Sequence, residues 1–129
     1  MKRRLAREKA LQAVYQIEIS KSEIGDAMES VLDGSKTDKY FEALVKGTVE
    51  NKEKIDEILS ENLENWTIER LANIDRNLLR IAVYEMVYSD DVPVNVAMDE
   101  AIEIAKKFGD DQSGRFINAV LSKVKDKLE

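Results

Sequence analysis

Five cations crowd the first nine residues: Lys2, Arg3, Arg4, Arg7 and Lys9. Only Glu8 offsets them, so this segment carries +4 and the remainder -10 of a formal net charge of -6. On a helix, Arg3 and Arg7 lie one turn apart and present a row of planar donors suited to phosphate oxygens. The first turn of a helix favours acidic side chains, so cations placed there run against local preference and invite a functional explanation. A solvated terminus, with Arg4 paired to Glu8 one turn on, accounts for the same charges without one. Tyr15 follows two turns beyond Arg7 and could stack on an unpaired base or pack into a core. Phe108 and Phe116 bracket the segment Gly109-Asp110-Asp111-Gln112-Ser113-Gly114-Arg115. Exposed, the two rings would frame a base-binding corner beside the Gln112 amide; buried, they would close the ends of two helices.

The other polar groupings offer little chemistry. The chain has no histidine and no cysteine, which removes the usual general base, the nucleophile pairs built on it, and the common zinc ligands. Gly109 and Gly114 have the glycine spacing of a phosphate-binding loop, but Arg115 and Phe116 stand where lysine and a hydroxyl residue belong, and a helix precedes them where a strand should. Asp110 and Asp111 supply too few oxygens for calcium and suit helix capping instead. Asp99, Glu100 and Glu103 form an acidic helix face with no apolar pocket to perturb them. No catalytic residue, metal site or cofactor is expected. Asp75, Arg76 and Arg80 interrupt an otherwise apolar segment, where each charge needs either an internal partner or an exposed docking edge.

The elements that carry these residues are all helical. Alternating strand patterns are absent, helical spacing recurs throughout, and Pro93 is the sole proline. A first helix from about Arg3 to Ile19 aligns Ala6, Ala10, Ala13 and Ile17. Ser20 with Glu23 has the form of a capping box opening a second helix to about Leu32, which Asp33-Gly34-Ser35 ends. Residues 37–62 read as one long helix with Phe41, Leu44, Val45, Thr48, Ile55, Ile58 and Leu59 inward. Thr67 is placed to cap a short turn running to Leu71. From Asn73 to about Tyr88, apolar residues cover nearly the whole circumference, the mark of a central helix. Val94, Ala97, Ala101, Ile104, Ala105 and Phe108 then line one stripe up to Gly109, which has the position of a C′ glycine. A last helix, capped within Asp110 to Ser113, turns Ile117, Val120, Leu121 and Val124 inward. At 129 residues, the expectation is a single domain over 1–129 of about seven helices. No apolar run is long enough to span a bilayer and no signal-peptide segment follows the basic start, so a cytoplasmic protein is expected.

Three blocks of this chain resemble the NusB family of antitermination factors. The first is Arg3-Arg4-Leu5-Ala6-Arg7-Glu8-Lys9-Ala10-Leu11-Gln12-Ala13-Val14-Tyr15-Gln16, and the second is Ile74-Asp75-Arg76-Asn77-Leu78-Leu79-Arg80-Ile81-Ala82-Val83-Tyr84-Glu85-Met86. The third runs from Asp91-Val92-Pro93-Val94 through Ala101-Ile102-Glu103-Ile104-Ala105-Lys106-Lys107-Phe108-Gly109 to Phe116-Ile117-Asn118-Ala119-Val120-Leu121. Family members usually carry a glycine where this chain has Ala119, a departure that bears on packing more than on function. The resemblance implies two packed, roughly perpendicular helical sub-bundles and a non-enzymatic role in antitermination of ribosomal RNA transcription. The implied partners are boxA single-stranded RNA, the ribosomal protein NusE and the RNA polymerase antitermination complex, with a homodimer possible for the free protein. It further implies an RNA surface formed by Lys2, Arg3, Arg4, Arg7, Tyr15, Phe108, Gln112 and Phe116, and a NusE-facing contribution from Glu69, Asp75 and Arg76. A NusB-like domain also resembles the N-terminal part of some ribosomal RNA cytosine methyltransferases, but a Gly-rich cofactor loop and a cysteine nucleophile are missing from these residues. The rival from a different functional class is a helical protein-interaction module whose basic tip is incidental.

Overall fold

The computed structural model describes residues 1–128, and within them the chain is seven α-helices with one 3-10 turn and no strand. In order these are α1 (Arg3–Ser20), α2 (Ile24–Leu32), α3 (Lys39–Glu50), α4 (Lys52–Glu61), the turn Ile68–Arg70, α5 (Asn73–Tyr88), α6 (Val94–Phe108) and α7 (Asp111–Leu128). One group forms where α1 packs on α2 and α3, and a second where α4, α6 and α7 gather around α5; α1 and α3 also lie on α5 and join the two. Helix α5 takes the centre because Leu78, Leu79, Ile81, Ala82, Val83 and Met86 are buried around its circumference. Ala6, Ala10 and Ala13 on α1 are fully buried, and their small side chains let α1 approach its neighbours closely. Gly47 on α3 serves the same end, since a Cβ there would fall 2.2 Å from the Tyr84 ring.

Helix boundaries depart from the sequence expectation at four places, each for a local reason. The stretch 37–62 is two helices. At Asn51 the side-chain amide and the backbone N–H both donate to the Gly47 carbonyl, at 2.8 and 3.1 Å. This is the competition for backbone acceptors that makes asparagine a poor helix-interior residue. Asn62 repeats the device by donating to the Ile58 carbonyl at 2.7 Å as α4 ends. The expected Ser20–Glu23 capping box does not form: Ser20 is the last residue of α1, Lys21 turns the chain with φ at 56°, and Glu23 stands before α2 without a side-chain cap. Thr67 likewise precedes the 3-10 turn without capping it. Gly109 is no left-handed C′ glycine, having φ -122° and ψ -116°. It is needed for close approach instead, because a Cβ there would lie 2.6 Å from the Ser113 hydroxyl and 3.0 Å from the Ala105 carbonyl. The true N-terminal caps are aspartates: Asp38 accepts from the Phe41 N–H and Asp110 from the Ser113 N–H, at 2.9 and 2.8 Å.

Candidate nucleic-acid interface

The basic N-terminus separates into an exposed edge and an interior anchor. Lys2, Arg3 and Arg4 are exposed at the start of α1, whose first turn holds no acid. Arg3 has no carboxylate partner among the described residues and lies with its guanidinium 4.6 Å from the centre of the Tyr40 ring, a cation–π contact that leaves its donors free. Arg4 forks onto Glu100 of α6, with Nε and Nη2 donating at 2.6 and 2.5 Å, instead of pairing with Glu8. The Arg4 hydrogen bonds outweigh partial burial and hold the Glu100 carboxyl below the usual carboxylate range.

Arg7 is not on this edge. It is 4% exposed and donates to both oxygens of Glu85 on α5, at 2.7 and 3.1 Å, with a third bond to Glu100 at 3.2 Å. The Tyr40 hydroxyl donates to the same Glu85 carboxylate. Burial, followed by that hydrogen bond, pushes the Tyr40 phenol well above its ordinary range, so it stays protonated. The placement of Arg7 among the phosphate-facing residues is therefore corrected: i, i+4 spacing aligns it with Arg3, but α6 and the Glu85 side of α5 cover it. Glu8 faces Lys107 of α6, whose ammonium donates to it at 2.9 and 3.1 Å. The Arg4–Glu100 and Glu8–Lys107 pairs reach from α1 to α6 and give the two helices the same sense.

That alignment brings Phe108, at the end of α6, to Tyr15 of α1. Their rings are 38% and 37% exposed, which places them on the surface rather than in the core. Together with Gln12, Gln16 and Ile74 they line a groove of about 490 Å³. Gln112 and Phe116 line a second cavity of about 330 Å³, with Trp66, Arg70, Asp75, Asp110 and Ser113. The start of α5 separates the two cavities, Ile74 facing one and Asp75 the other. Burial pushes the Asp75 carboxyl up and the nearby Asp110 charge adds to this, against a hydrogen bond from Ser113. Trp66, 54% exposed, and Lys107 are not among the residues the sequence singles out. The available signal for Trp66 was a lone tryptophan in a loop, with no helical spacing to assign it to a core.

Among the residues implied to face a protein partner, Glu69 is exposed and Asp75 half-buried, but Arg76 is interior, and its placement at a docking edge is corrected. It is 8% exposed and bound to Glu18, Asn73 and the Leu71 carbonyl. Arg80 bonds Asp56 at 2.8 and 3.1 Å and Glu18 at 2.6 Å. These bonds fasten α1 and α4 to α5. Burial opposes ionisation of Glu18, yet hydrogen bonds from Arg76, Arg80 and Asn77 prevail and lower its pKa to about 2. The folded-state pKa is depressed, so this stability is present above the ordinary value and lost as pH falls from about 4.5 through about 2. It amounts to about 3 kcal/mol by linkage. In urea titrations across that window, Glu18→Gln should show a shallower acid-dependent loss than the parent; equal slopes would place the acid sensitivity elsewhere.

No group of three histidine, cysteine or acidic side chains among the described residues could hold a metal ion, and no described helix is long and apolar enough to cross a membrane. The arrangement suits binding: exposed guanidinium and ammonium groups, two aromatic-lined cavities and amide side chains along one side of α1 and the α6–α7 corner.

Comparison with known proteins gives a consistent picture. A family profile described as the NusB family matches residues 4–126. The chain is 57% identical over 129 residues to the transcription antitermination protein NusB of Bacillus licheniformis, covering 100% of both. It is 54% identical to that of Bacillus subtilis, covering 100% of this chain and 98% of the relative. In structure it is similar to T. maritima NusB, with TM-score 0.88, 36% identity, and coverage of 96% of this chain and 90% of that one. It is also similar to a chain of the crystal structure of antitermination factors NusB and NusE in complex with dsRNA. There the TM-score is 0.87 and the identity 27%, over 97% of this chain and 96% of that one.

Proposed function

This chain belongs to the NusB family of transcription antitermination proteins, and from that premise we propose that it binds boxA RNA of ribosomal RNA operons together with NusE. It acts by assembly, not catalysis, delivering the RNA and NusE to the RNA polymerase antitermination complex. The observation that carries this reading is the groove in which the half-exposed Tyr15 and Phe108 meet, with an uncompensated Arg3 at the exposed start of the same helix α1. Cations at the start of α1 supply sequence-independent attraction for the phosphates through counterion release. The rings and the Gln12, Gln16 and Gln112 amides further along supply stacking and base-edge hydrogen bonds to unpaired bases. From Arg4 to Tyr15 the helix rises about 16 Å, a span of a few nucleotides, so the protein alone binds modestly. NusE adds surface, and a partner that strengthens RNA binding must itself be bound more tightly when RNA is present. Exposed Glu69, in the 3-10 turn, belongs to the NusE side of this division.

The test is fluorescence anisotropy with a short boxA-like RNA and a scrambled control, with and without NusE, at several salt concentrations. Preferential binding that NusE enhances, with log affinity falling by about 0.7 per phosphate per tenfold rise in salt, is the expected result. Equal or absent binding of both RNAs in the presence of NusE would instead leave a helical protein-interaction module.

A further inference from the structure

Apart from Gln112, the second cavity has polar groups to which counterion release and stacking give no role. Two rings, Trp66 and Phe116, line it together with the carboxylates of Asp75 and Asp110, the Arg70 guanidinium and the Gln112 amide. Neither carboxylate forms an ion pair among the described residues, and Arg70 likewise has no carboxylate within salt-bridge distance. Ser113 stands beside both acids, its hydroxyl near Asp75 and its backbone N–H capping Asp110, and both acids keep accepting capacity. Unpaired carboxylates repel phosphate, which fixes how a nucleotide could enter: base first, with its backbone left at the rim.

The edge chemistry then selects the base. A carboxylate only accepts hydrogen bonds, so it is matched by two adjacent donors. Guanine offers these at N1–H and the 2-amino group. Adenine and cytosine place a ring-nitrogen acceptor beside their single amino group, and uracil flanks its one N–H with carbonyl oxygens. On its other edge guanine carries two acceptors, O6 and N7, which suit the donors of Arg70 and Gln112. A lysine or arginine side chain from a protein would satisfy the acids but leave Arg70 opposed by a like charge. The rings give a flat guest the stacking faces it needs, and about 330 Å³ lies within the range of small-molecule sites. We infer that the Trp66–Asp75–Phe116 cavity is a guanine-reading subsite that takes one unstacked guanine by its Watson–Crick edge. The inference rests on the RNA-binding reading above and adds to it a base identity.

The experiment uses the full chain and single-stranded oligouridine of about twelve nucleotides with one guanine placed at each position in turn, read by anisotropy. Guanine in one register should raise affinity roughly 5- to 100-fold over all-uridine RNA. Inosine, which lacks the 2-amino group, and adenine in that register should forfeit most of the gain. Asp75→Asn should abolish the discrimination without changing the salt slope. The inosine comparison does not depend on any protein variant folding. Equal affinity for guanine, inosine and adenine would overturn the subsite while leaving the phosphate and stacking reading intact. Loss of NusE binding in Asp75→Asn with guanine preference unchanged would overturn it in favour of a protein contact. Absence of binding to any RNA would sink both readings.

Discussion

Glu85→Ala is expected to destabilise the fold by about 3–5 kcal/mol, the cost of leaving a buried charge without its partner. Glu85 is 1% exposed and takes two bonds from Arg7 and one from Tyr40, from α1 and α3 respectively. Removing its carboxylate leaves the Arg7 guanidinium, itself 4% exposed, with the Glu100 bond at 3.2 Å and the Tyr40 ring at 5.5 Å. An exposed pair shows the contrast. Lys54 and Glu57 lie 3.8 Å apart with about two-thirds of each side chain in solvent, and removing either should change stability by less than about 0.5 kcal/mol. Urea denaturation of both variants measures the difference; a Glu85→Ala loss below about 1 kcal/mol would mean that Arg7 finds water or another acceptor. The effect reaches the surface, because Tyr40, oriented by Glu85, is the ring beneath Arg3. Loosening Tyr40 removes the platform that holds Arg3, the arginine of the basic edge with no carboxylate to restrain it.

This network marks the limit of what the residues disclose in order. Periodicity alone identifies α5 as central and the Val94–Phe108 stripe as a buried face, since both depend on spacing within one helix. Arg7 and Glu85 are separated by 78 positions, and nothing local to either distinguishes a phosphate-binding arginine from one that crosses the core. The long helix expected over 37–62 fails for a similar reason: its apolar spacing continues in phase across Asn51, while the break is a side-chain hydrogen bond to Gly47 that periodicity does not register. The aromatic corner was legible as a cluster in sequence but not as two cavities. Its division depends on where the start of α5 inserts between Phe108 and Phe116. Trp66 enters only through tertiary packing, from a loop with no pattern of its own.

Neutralising Lys2, Arg3 and Arg4 together to alanine is expected to lower RNA affinity about 100-fold at roughly 0.1 M salt, with little change in stability. Each phosphate contact contributes about 0.7 to the log-log salt slope, so loss of three contacts reduces the slope by about 2. The three side chains are exposed, which keeps the fold out of the result; Arg7→Ala, by contrast, should unfold more readily. The single variants should not be equal. Arg3 meets phosphate without surrendering a carboxylate, whereas Arg4 must loosen two bonds to Glu100 before its donors are free. Arg3→Ala should therefore cost more affinity than Arg4→Ala, and Glu100→Gln should raise affinity by releasing Arg4. Anisotropy titrations of the four variants at several salt concentrations decide this. An unchanged slope in the triple variant would remove the basic terminus from the RNA surface. Weaker binding by Glu100→Gln would mean that Glu100 positions Arg4 for the phosphate instead of competing with it.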